Sequence, residues 1–152
     1  MIFYFDMASI SYAFCDWVLE RIKANLNGQL PADLVLDERQ GGLGQKIVKA
    51  VNQGIGACVV VGVGEITPQG NNADDTQCEI SVNVGVLHNA TLKKDFDSRL
   101  FTEDLYRKFA GAEYEQSPFL SVNVRVGRLD TQGEDKKMHT FTVSHLKTLK
   151  GV

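Results

Sequence analysis

Two valine-rich stretches, residues 57–66 and 78–87, constrain the fold more than any other part of the chain. In the second, Cys78, Ile80, Val82, Val84 and Val86 fall on one side and Glu79, Ser81, Asn83 and Gly85 on the other, the period of two of a half-buried strand. The first is apolar on both faces at Val59, Val60 and Val61, as in a central strand covered on both sides. A buried helix shows the same run, but β-branched enrichment and flanking glycines decide for strand. The link between them, residues 67–77, is polar and rich in turn formers, so it reads as an exposed hairpin loop long enough to serve a partner contact.

The remaining elements are ordered around this pair. Residues 10–27 carry helical periodicity after a cap at Asp6 or Ser9, with Phe14, Val18 and Ile22 spaced by four and Cys15, Leu19 and Leu26 widening the stripe. Gly28 is placed to end that helix and Pro31 to prevent its resumption. Leu34, Val35 and Leu36 suggest a small strand, and Leu43, Ile47 and Val51 give a short helix one apolar stripe that closes at Gly54. A third helix is expected over residues 102–110, with Thr102 as cap, Phe101 stapled to Tyr106, and Leu105 and Phe109 facing inward. Residues 120–126 alternate again, residues 130–137 read as a polar turn, and residues 138–146 resume as a strand with Phe141 and Val143 on the core side.

This order implies a single α+β domain spanning residues 1–152. Its mostly antiparallel twisted sheet of four to five strands is built from two hairpins and packed on one face by about three helices. A chain of 152 residues can bury roughly 68–70% of its unfolded surface in one core. The formal charge of −3 argues against general nucleic-acid binding, which draws its affinity from Lys and Arg. Cys15, Cys58 and Cys78 are odd in number and set in apolar segments, the usage of buried reduced thiols. The start of the chain lacks a basic region before its apolar residues, and no apolar run approaches the ~20 residues of a membrane span, so a soluble protein without a signal peptide is expected.

The search for chemistry returns no motif. Gly41, Gly42 and Gly44 invite comparison with a phosphate loop, but Gln45, Lys46 and Ile47 follow where a Walker loop needs Lys and then Ser or Thr. His88, His139 and His145 have no zinc spacing and no Cys pair to support them, so they read as structural or surface residues. Asp74 and Asp75 lack the alternating oxygen ligands of an EF-hand, and Asp95 and Asp97 read as solvated charges. Neither Ser nor Cys lies beside a base in the local sequence, although a triad assembles only in the fold. No enzyme activity, cofactor or metal is expected.

In its order of elements the chain resembles the small tail terminator and tail completion proteins of long-tailed bacteriophages. The resemblance spans residues 10–146: an N-terminal amphipathic helix, the long hairpin of residues 57–87, the helix of residues 102–110 and a closing hairpin. The Gly41–Gly44 loop and the added short helix depart from the simplest members. The resemblance implies a non-enzymatic ring, commonly a hexamer, that caps the tail tube and docks to the head connector. It also implies assembly in the host cytoplasm before incorporation into the virion tail. On that reading the interface candidates are Asn71, Asn72, Asp74 and Asp75 in one loop, Asp135, Lys136 and Lys137 in another, and Asn83, Asn123 and Arg125 on the polar strand face. The competing expectation is a small-molecule-binding or enzymatic α+β domain, which needs convergent polar groups in a concave apolar site.

Overall fold

The computed structural model describes residues 4–71, 75–114, 122–132 and 135–150, with side chains over 10–68, 77–114, 122–127 and 135–147. Its elements are α1 (Tyr4–Ala24), a 3-10 turn (Ala32–Leu34), β1 (Val35–Asp37), α2 (Leu43–Asn52), β2 (Ala57–Asn71), β3 (Asp75–Asn89), α3 (Ser98–Arg107), β4 (Asn123–Gln132) and β5 (Lys136–Lys150). The five strands form one sheet in the order β1-β2-β3-β5-β4. β1 runs parallel to β2 and the other pairs are antiparallel, so the α+β fold is built on a mixed sheet.

β3 is the spine. It pairs along its whole length with β5, from Asp75 opposite Lys150 to Asn89 opposite Lys136, and with β2 on its other side. The expected alternation holds: Cys78, Ile80, Val82, Val84 and Val86 are buried while Asn83 is exposed. Fully burying each such side chain contributes on the order of 1.5–3 kcal/mol.

The strands are longer than their apolar cores. Residues 67–77, expected as a loop, are mostly strand: Thr67 pairs with Glu79, Pro68 with Cys78, Gly70 with Gln77 and Asn71 with Thr76. Residues 130–132 and 136–137 are strand as well, paired across β4 and β5. The joining residues 72–74 and 133–134, which include Asn72 and Asp74, lie outside the described residues. Periodicity misses these extensions because they are polar on both faces. Register shifts between Val63 and Ile66 and between Pro68 and Gly70 break the alternation further. Pro68 is tolerated because β1 pairs with Val59, Val60 and Val61, and beyond them β2 has no outer neighbour among the described residues.

The helices do not all lie on one face. α1 and α3 cover the face of Val59, Val61, Val82, Val84 and Phe141. α2 packs Ala50 and Val51 against Leu36 and Cys58 on the other face, with Ile47, Val60 and Leu87 at the margin. The expected three-helix layer is therefore two helices on one side and one on the other, because Leu36, Cys58 and Val60 have opposite strand parity to Val35, Val59 and Val61.

Helix ends also differ from expectation. α1 starts at Tyr4, ahead of both proposed caps, and Asn27 and Gly28 then turn the chain at φ 54° and 74°. α3 begins four residues before Thr102. Its cap is Asp97, whose side chain accepts a hydrogen bond from Leu100 N, and Thr102 sits inside the helix donating to Ser98 O at 2.7 Å. Phe14, Trp17, Phe109 and Tyr114 form an aromatic cluster joining α1 to the turn after α3, with Arg21 5.4 Å over Trp17 and donating to Lys108 O at 2.7 Å. At the β1 edge Arg39 pairs with Asp16 of α1 and with Asp37 at 2.8 Å. Burial pushes the Asp37 carboxyl up, but the hydrogen bonds and charge of Arg39 outweigh it and leave the group below its ordinary range.

Candidate interaction surface

The face that α2 only partly covers carries most of the sheet's polar side chains. Register places them in rows. Gly62, Asn83, Thr142 and Arg125 form one row across β2, β3, β5 and β4, and Ser81, Ser144 and Asn123 form the next. Thr142 Oγ1 donates to Asn83 Oδ1 at 3.0 Å, and Arg125 Nη2 lies 3.5 Å from Glu79 Oε1. With Glu65 and Thr67 these groups line a shallow polar basin of about 250 Å³. The Ser81 hydroxyl clasps the bulge in β2, accepting from Glu65 N at 2.9 Å and donating to Glu65 O at 3.2 Å. Gly64 makes that clasp possible, since a Cβ there would stand 2.8 Å from the Ser81 carbonyl oxygen.

Beside the basin, toward α2, the same face turns apolar. Ile47, Val60, Leu87 and Met138 line a groove of about 490 Å³, with Asn83 and Thr140 at its polar end. A third hollow of about 560 Å³ lies between the β1 edge and α2, where Lys23, Lys46 and Lys49 meet Leu34 and Asp33. Gly42, the residue that precedes α2, is in the left-handed conformation at φ 74° and offers the helix no side-chain cap.

Among the described residues, both sides of the sheet end in backbone with no outer strand. β2 beyond Val61 has no outer neighbour among the described residues, nor does β4 after the bonds of Val122 to Gly111 and Ala112. Val126 on the β4 edge is 47% exposed.

The residues singled out by sequence are thus spread over three places. Asn83, Asn123 and Arg125 share the polar face. Asn71 and Asp75 sit at one end of the β2–β3 pair, where only their backbone is described. Asp135, Lys136 and Lys137 sit at the other end, roughly 45 Å away along β3 at ~3.3 Å per residue. Those three are not a free loop. Lys136 and Lys137 begin β5, and the Asp135 carbonyl accepts from Ala90 N at 2.7 Å. Glu65, Thr67, Glu79 and Thr142 were missed. The alternation at residues 79–83 pointed to Glu79, but nothing in sequence showed which residues of the other strands shared its row.

The fold does gather Ser98 with two histidines, a grouping invisible in sequence. His88 Nδ1 lies 3.2 Å and His139 Nε2 2.9 Å from Ser98 Oγ, and all three residues are at most 3% exposed. No group of three or more His, Cys, Asp or Glu among the described residues could hold a metal ion. Cys15, Cys58 and Cys78 are free and buried, and burial pushes the Cys15 and Cys58 thiols up to about 11. No helix among the described residues is long and apolar enough to cross a membrane. In comparisons with known proteins, no family model and no curated protein matches the chain.

Proposed function

We propose that this protein is a non-enzymatic structural subunit that joins copies of itself into a closed ring. The ring, by the resemblance in element order a hexamer, terminates or completes the tail of a phage or prophage and docks to the tail tube and head connector. Assembly takes place in the host cytoplasm. The observation that carries the reading is a sheet surface that α2 covers only in part among the described residues, polar at Asn83, Arg125 and Thr142 and flanked by the β2 and β4 edges, which have no outer strand among those residues. A closed head-to-tail ring needs two different patches on every subunit, and the β2 and β4 edges lie on opposite sides of the sheet. The end bearing Asn71 and Asp75 and the end bearing Asp135, Lys136 and Lys137 serve as docking surfaces for neighbours above and below the ring.

The test separates assembly from folding. A variant with Asp135, Lys136 and Lys137 reversed in charge, and a second with residues 71–75 replaced by a short Gly-Ser link, keep the wild-type circular dichroism spectrum while losing ring formation or docking. Unchanged assembly in both variants rejects those surfaces.

The apolar groove beside α2 favours a second reading, a small-molecule-binding domain. That reading predicts a monomer whose melting temperature rises with a bound ligand, and an Ile47→Trp substitution that fills the groove and abolishes the rise.

A further inference from the structure

The buried groups under α3 admit only one neutral distribution of protons. His139 stands opposite Val86 and His88 opposite Lys137, so the two rings are near neighbours on the face that α3 covers. Ser98, the first residue of α3, sets its hydroxyl between them at 3.2 and 2.9 Å, and His88 Nε2 lies 2.7 Å from the Lys93 carbonyl. A carbonyl only accepts, so His88 Nε2 carries the hydrogen and Nδ1 of the neutral ring is the acceptor. Ser98 therefore donates to His88 Nδ1, and its oxygen accepts from His139 Nε2. This leaves His139 Nδ1 without a hydrogen, and that atom finds no partner among the described residues.

We propose that this His88–Ser98–His139 relay is an acid-operated latch that holds the first turn of α3 to β3 and β5 at neutral pH and releases it when an imidazole takes up a proton. A proton on His139 creates a buried N–H at Nδ1 with no acceptor, which is costly. Were Ser98 instead to accept from His88 Nδ1, its hydroxyl would donate to His139 Nε2 and that ring's hydrogen would move to Nδ1, again where no acceptor among the described residues meets it. The surroundings reinforce the exclusion: Lys137 on β5 and Arg99 on α3 bring positive charge, Lys93 lies in the connector and Asp97 at the helix cap opposes them. Burial first, then Lys137, Arg99 and His88, hold His139 below its ordinary pKa despite Asp97. The proton enters when Ser98 leaves. α3 lies between irregular segments, residues 90–97 and 108–112, so its first turn can lift while the sheet stays paired. Lifting uncovers Phe96 and Phe101, which are 6% and 2% exposed with rings 5.1 Å apart.

The test is amide hydrogen exchange at pH 7.5 and 5.5, corrected for the intrinsic rate. Protection of the amides in the first turn of α3 should drop at least tenfold at the lower pH, while β3 and β5 keep theirs. In His139→Gln the amide N–H replaces Nε2–H, and no ring remains at that position to take up a proton without an acceptor, so the acid-dependent loss of protection should disappear. Equal protection of α3 in the wild type at both pH values, loss from helix and sheet together, or an acid loss retained by His139→Gln overturns the latch. Should that variant fail to fold, imidazole resonances of the wild-type protein decide. Protonation of His139 should coincide with loss of α3 protection, and titration of that ring while α3 stays protected contradicts the proposal.

Discussion

The two faces of the sheet are made by the same strands and lead opposite lives. On one, Val59, Val61, Val82, Val84, Phe141 and Val143 are sealed beneath α1 and α3. On the other, Asn83, Arg125 and Thr142 line an open basin, and among the described residues α2 covers the β1 end. Alternate residues of β3 thus divide the work: one set packs the core, while in the other Ser81 closes the β2 bulge and Asn83 stands exposed. Substitutions should fall into two classes accordingly, with stability sensitive to the first face and assembly to the second.

The largest expected effect is on the sealed face. Phe109 is fully buried with Trp17, Phe141 and Arg21 around it, so Phe109→Ala should cost about 3–5 kcal/mol in chemical denaturation. A loss below ~1 kcal/mol would mean that the aromatic cluster does not join α1 to the rest. Next comes the bulge that shapes the open face. Gly64→Val drives a side chain into the Ser81 clasp and should cost about 1–3 kcal/mol, whereas a neutral outcome would break the argument that the bulge is closed by that hydroxyl.

Acid should act through the sealed face. His139 binds its proton less readily folded than unfolded, so its contribution is complete above the unfolded value of about 6.5 and declines as pH falls toward the lowered folded pKa. Unfolding free energy should fall across that window by up to ~1.4 kcal/mol per pH unit for this group. His139→Gln should flatten the profile, and an equally steep profile in the variant would assign the slope to other groups. The smallest effect on stability belongs to the open face. Arg125 is exposed and its pairing with Glu79 is solvated, so Arg125→Glu should change stability by no more than about 0.5–1 kcal/mol while disrupting assembly. A large destabilisation with assembly intact would reverse the division between the faces.

How much of this was legible in the sequence follows from what each signal needs. The β3 alternation and the Phe14, Val18 and Ile22 stripe were readable because each is set by local period and burial on one side, whereas the small strand expected over residues 34–36 forms one residue later, over Val35–Asp37, with Leu34 in the 3-10 turn before it. Strand ends were not, because Thr67, Pro68 and Gly70 are held by ladder bonds to β3 that local composition does not encode. Nor was the side on which α2 packs, since Ile47 and Val51 fit either face of a sheet equally well. The cap of α3 was misplaced because Thr102 and Asp97 are both good capping types, and burial of Thr102 decided between them. At the surface, Asn83, Asn123 and Arg125 were recognised as sharing a face, but their rows depend on strand order. The grouping of Ser98 with His88 and His139 was beyond reach, because those residues meet only when α3 lands on β3 and β5.

The claim that the open face exists to hold neighbours is tested most directly by the mass of the wild-type protein in solution, read by native mass spectrometry over a range of concentrations. A single species at a whole multiple of 16.8 kDa, closed into a ring by electron microscopy and lost on Arg125→Glu, is the expected result. A monomer at every concentration, with the open face still bare, would contradict it.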